Sequence, residues 1–217
     1  MLALSTNKAS INKAAERTVL VRLLQISSSL HTQLLAWYEN LRKQVNGQPY
    51  CVVPSLAHSP ADDPLRGCVF PLAFHFPNLT VAQLLLIYWS TLIVLYRTVQ
   101  DIHKRLGNRA AENLVTQLNL DLEGRNKICF ERSYPSNSRI AALARNLCHS
   151  LEYCYRSKNG TLGLQSTVFT QWVAQDFYSS QPDLWRELKW CTEIGNMTAP
   201  DSRFDLHIMK LSSEESQ

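Results

Sequence analysis

Cys148 and His149 stand side by side, the nearest approach in this chain to a thiol with its own base. A working nucleophile needs that base within hydrogen-bond reach. On a helix, adjacent side chains point about 100° apart, so the two read as independent residues. No G-x-S-x-G turn is present to expose a serine instead. The other histidines are His31, His58, His75, His103 and His207, and no two form an H-E-x-x-H or H-x-x-x-H pair. His75, between Phe74 and Phe76, reads as a packing residue. The six cysteines, Cys51, Cys68, Cys129, Cys148, Cys154 and Cys191, contain no C-x-x-C pair and read as reduced structural thiols of an intracellular protein. Asp62-Asp63 lies in a proline-rich stretch and reads as a solvated turn. There is no glycine-rich phosphate loop. Trp172, Trp185 and Trp190 read as core packing, and a pocket walled by Trp172 and Phe177 is the one ligand site that can be drawn. No catalytic, cofactor-binding or metal residue is assigned, and an enzyme is not expected.

Composition points the same way. The 217 residues are 45% hydrophobic and 18% charged, with seven glycines and nine prolines, which suits an all-α fold with a real core. The net charge of +4 is spread out, with no basic run of five, so direct DNA binding is not expected. Sequons begin at Asn78, Asn159 and Asn196. They matter only in a secreted chain, and the N-terminal apolar run is too short for a signal-peptide core.

The expected architecture is an irregular helical bundle built round a central hydrophobic helix at about 80–106. Residues 1–16 are expected to be flexible, 17–210 to form a single helical domain and 211–217 to be a disordered tail. A helix is predicted from about Thr18 to Arg42 on the stripe Leu20, Leu23, Leu24, Leu30, Leu34, Trp37, Leu41, ended by Asn46-Gly47. Residues 47–77 hold six prolines and read as a connector without regular structure. Further helices are predicted around Ala110–Leu118, Ser138–Tyr155 and Leu164–Tyr178, and from Pro182 onward. Thr80-x-x-Gln83 has capping-box form, with Leu79 and Leu84 as a staple.

Thr80–Tyr96 carries no charge and raises the question of a membrane anchor. As a helix it reaches about 26 Å, against a hydrocarbon core of about 30 Å. Its periodicity favours a bundle helix. Val81, Leu85, Tyr88, Leu92, Leu95, Val99, Ile102 and Leu106 form one unbroken seam, and Gln83, Ser90, Arg97 and Lys104 are expected to form a polar line opposite. A membrane-associated accessory protein anchored by residues 80–96 is the alternative.

Four segments resemble the regulatory region of fungal zinc binuclear cluster transcription factors. LHTQLLAWYENL (Leu30–Leu41) is similar to the family's L-x-x-W-Y/L helix, and FPNLTVAQLLLIYWSTLIVLYR (Phe76–Arg97) to its aromatic-Pro-x-L-x-x-A-x-x-L-x-x-Y-W helix. ARNLCHSLEYC (Ala144–Cys154) resembles its A-R-x-I-C-x-S-x-x-Y-C helix, and Gly160–Cys191 its G-x-x-G-x-Q segment with the R-E-x-x-W-C helix. The resemblance implies that Trp37, Tyr88, Trp89, Phe177 and Trp190 are core anchors. It implies a nuclear transcription regulator acting through protein partners or a small effector, of the kind that often governs secondary-metabolite clusters. The family's compact cysteine array is missing, since these cysteines are dispersed. The chain therefore reads as a regulator lacking its own zinc-cluster DNA-binding module, or as a truncated remnant of one.

Overall fold

Residues 2–44 contain neither proline nor glycine, and they form one continuous helix, α1 (Leu2–Gln44). It is longer than the Thr18–Arg42 expectation and continues through residues 2–16, where alanine, lysine and leucine favour a helix despite the polar character. The computed structural model describes residues 2–57, 59, 61–63, 65–107 and 135–197, with side chains from 15 to 194 within those ranges. Asn46 and Gly47 end α1 at positive φ (55° and 140°), and the Gly47 N–H returns to the Arg42 carbonyl at 3.0 Å.

The described residues form five α-helices and one two-stranded sheet, a predominantly helical fold. After α1 come β1 (Cys51–Pro54), β2 (Leu72–His75), α2 (Leu79–Leu106), α3 (Asn137–Cys154), α4 (Gly160–Ser179) and α5 (Trp185–Met197). Short 3-10 turns at Ser157–Asn159 and Pro182–Leu184 lead into α4 and α5. Cys129, His58, His207, the helix expected near Ala110–Leu118 and the tail 211–217 lie outside the described residues.

The sheet corrects the reading of 47–77 as a connector without regular structure. β1 and β2 pair antiparallel, with Cys51 opposite His75 and Val52 opposite Phe74. Val52, Val53 and Phe74 suit a pleated surface, and the prolines fall at strand ends and in the intervening loop. The cap of α2 is also shifted. The Asn78 side chain accepts the Val81 N–H at 2.9 Å, so Asn78 rather than Thr80 opens the helix.

The contacts fall into two compact units: Met1–Glu39 with Val94–Ser136, and Asn40–Ile93 with Asn137–Gln217. In the first unit, Leu20 and Leu24 of α1 pack with Val99 and Ile102 of α2, and Leu106 closes the cluster. His31 and Tyr96 share a buried hydrogen bond of 3.0 Å. In the second unit the largest fully buried side chains are Phe76, Leu85, Leu86, Ile93, Ile140, Leu147, Leu151, Tyr153, Phe177 and Tyr178.

The seam of α2 is buried from Val81 to Ile102, with Leu106 half-buried. Its opposite line departs from expectation: Ser90 is fully buried and Arg97 half-buried. The solvent-facing stripe instead passes through Leu84, Ile87, Val94, Thr98 and Asp101. A line drawn through every seventh residue drifts about 20° per heptad on a 3.6-residue helix. Small, uncharged Ser90 turns inward without the cost a charge would bring.

Candidate functional site

The chemistry-bearing residues of the second unit gather where α3 meets the hairpin and α5. Helix spacing carries Cys148 and Glu152 onto one buried face of α3 (i, i+4). Oε2 of Glu152 accepts three hydrogen bonds: from Ser55 Oγ at 2.8 Å, from the Leu56 N–H at 3.1 Å and from the Ala57 N–H at 3.3 Å. This carboxylate fixes the chain leaving β1. His149 turns to the other strand and donates Nδ1–H to the Leu72 carbonyl at 2.6 Å. Phe70 meets both His149 and Trp190 edge-on.

Cys148 points elsewhere, with Sγ 3.5 Å from Sγ of Cys191 on α5. The adjacent thiol and imidazole thus serve different neighbours, as the angular offset on a helix dictates. Burial, followed by the adjoining Cys191 thiol, pushes the Cys148 thiol well up; burial likewise pushes the Cys154 thiol up to about 12. Both are therefore thiols at neutral pH, whereas attack needs a thiolate. Burial by these helices pushes the Tyr178 hydroxyl up as well, with the two cysteines adding to the effect.

Between the hairpin, α3 and α5 lies a cavity of about 10 Å³ lined by Ser55, Phe70, Cys148, His149, Glu152 and Trp190. That is room for a single water molecule, with polar partners on two sides. Among the described residues no group of three or more His, Cys, Asp or Glu converges to hold a metal ion.

Several sequence expectations separate here. Trp172 is 59% exposed while Phe177 is buried, so they sit on opposite faces of α4 and share no pocket wall. Trp172 and Trp185 are exposed rather than core, and Trp37 is half-buried; Tyr88, Trp89, Phe177 and Trp190 are core residues. Asp62 and Asp63 lie in the solvated turn that the sequence suggested, and they also organise it. Asp62 accepts the Ser59 and Val69 N–H groups, and Asp63 accepts that of Leu65, which holds its carboxyl below the usual range. Glu152 and Ser55 escaped the sequence reading. The available signal was a lone acid at i+4 from Cys148 on an otherwise apolar face.

Burial holds His149 below the ordinary imidazole range, with Arg145 adding to the effect and the Leu72 bond opposing it. The unfolded imidazole takes up its proton near pH ~6.5. A depressed folded value means the fold binds fewer protons below that pH, so stability is full above it and declines as pH falls. The urea midpoint should therefore drop between pH 7.5 and pH 5.5, and drop less in His149→Gln. Equal losses in both proteins would remove His149 from this role.

No protein-family model, curated protein or solved structure matches the chain.

Proposed function

We propose that this protein is a non-catalytic helical module of a transcription regulator, working in the nucleus through protein contacts, with no zinc-cluster DNA-binding module in these 217 residues. The observation that carries the proposal is a second apolar line on α1. Val19, Leu23, Ile26 and Leu30 recur at steps of four, three and four and are 58%, 40%, 56% and 39% exposed. They are distinct from the buried line of Leu20 and Leu24. An exposed line at this spacing suits the groove or seam of a partner helix. The cleft between the hairpin, α3 and α5 admits only one water molecule and so would not itself hold a small effector. Its reactive groups are also engaged: Cys148 with Cys191, His149 with Leu72 and Glu152 with Ser55. The four segments that resemble the zinc binuclear cluster regulators lie on α1, on α2, on α3, and on α4 with α5, and they support the regulatory setting.

Fused to an unrelated DNA-binding module, the chain should change transcription of a reporter several-fold. Ile26→Asp should return the reporter to the level of the bare module while leaving the circular dichroism spectrum intact. A wild-type fusion indistinguishable from the bare module would defeat the proposal, as would tight binding of the chain itself to short duplex DNA that weakens steeply with salt.

A further inference from the structure

Helix α4 is apolar on two faces. One, with Val173, Ala174, Phe177 and Tyr178, packs into the core. The other carries Leu162, Val168, Phe169 and Trp172, which are 63%, 69%, 53% and 59% exposed. The Phe169 and Trp172 rings stack on each other at 6.0 Å. Within the twenty residues of the helix Asp176 is the single formally charged side chain. At 100° per residue, Gln165, Phe169, Trp172 and Asp176 follow the middle of the open face.

The open side chains present roughly 400–500 Å² of apolar surface, the size of the largest patch on a typical monomer, which is often functional. Doubling that area brings it close to the ~1,000 Å² that a specific interface needs, before its polar rim is added. The charges favour one arrangement. The apolar residues span 162–172, and the acid lies beyond them toward the C-terminus. With two copies antiparallel about an axis near residue 168, Asp176 of one falls opposite residue 160 of the other. That is Gly160, where α4 begins, two residues after exposed Lys158. A helix N-terminus carries about half a positive charge, and the two-fold makes the contact twice. Parallel packing would set Asp176 against Asp176.

We propose that this face of α4 joins two copies of the chain, antiparallel across a two-fold axis near Val168. Phe169 of one copy then packs against Phe169 of the other beside the axis, with Trp172 flanking it on each side, and Asp176 meets the opposing helix start.

Sedimentation of the full chain over about 5–100 µM, the range suited to a small wet interface, should show twice the 24.8 kDa monomer mass. Trp172→Arg should give a monomer whose thermal melt matches the wild-type monomer extrapolated to low concentration. Asp176→Lys should raise the dimer dissociation constant about tenfold, because two favourable end contacts become unfavourable. A chain that stays monomeric throughout overturns the proposal. So does a dimer that survives Trp172→Arg, or one lost only when Ile26 on α1 becomes Asp. A dimer indifferent to Asp176→Lys overturns the antiparallel arrangement.

Discussion

Gly163→Ala should lower the melting temperature by about 6–12 °C, the reverse of what this change does in most helices. Alanine at a helical glycine ordinarily stabilises by about 0.4–1 kcal/mol, because it restricts the unfolded chain. At Gly163 a Cβ would stand 2.1 Å from the Cys154 carbonyl oxygen and 2.9 Å from Cβ of Asn159. Neither neighbour can withdraw cheaply. Cys154 is the buried last residue of α3, and the Asn159 side chain is held by its hydrogen bond to the Tyr153 carbonyl at 2.6 Å. The first turn of α4 would have to lift from the end of α3. Overpacking commonly costs about 1–3 kcal/mol, and a clash with backbone lies at the top of that range. At about 2–4 °C per kcal/mol for a chain of this size, the shift is easily read by calorimetry. An unchanged or higher melting temperature would mean that the two helices do not meet so closely.

Leu92→Asp should abolish cooperative unfolding, while Ile87→Asp should change it by less than about 1 kcal/mol. Both residues lie in the apolar half of α2. Leu92 is 3% exposed and Ile87 is 61% exposed. An unpaired carboxylate at the buried position costs several kcal/mol, a large share of a typical total of about 5–15. The exposed position keeps its carboxylate in water. This contrast also addresses the membrane alternative. Leu79–Leu106 is long and apolar enough to span a bilayer, and 61% of its most apolar window is buried inside the fold. In lipid, acids at both positions would be costly. Loss of expression from Ile87→Asp equal to that from Leu92→Asp, together with membrane-bound wild type, would favour the anchor.

The helices were readable because repetition announces them. The seam of α2 states its buried direction seven times between Val81 and Ile102, and Asn46-Gly47 marks the end of α1. What escaped depends on distant partners. Cys148 meets Cys191 across 43 residues of sequence, and Glu152 meets Ser55 across 97, with no local pattern to signal either. The hairpin was hidden because prolines mark both strand ends and loops, and four-residue strands are too short for a clear alternation. Trp172 was misplaced for a different reason. An apolar residue on a helix with apolar side chains on two faces has no single polar face to say which side is inside.

The thiols placed on α3 and α5 give the molecule a built-in clock. Cys148 and Cys191 are sealed in the core, while Cys51 and Cys68 lie at the surface. A soft alkylating reagent marks the surface pair at once and reaches the sealed pair only in moments when α3 and α5 part. Peptide mapping separates the slow labelling of Cys148 and Cys191 from that of the buried Cys154, so the pair's increments count openings of the α3–α5 contact, and the fast ones verify the reagent. The breathing of this helix pair, at rest or with a partner bound, is thus recorded by atoms the chain already carries.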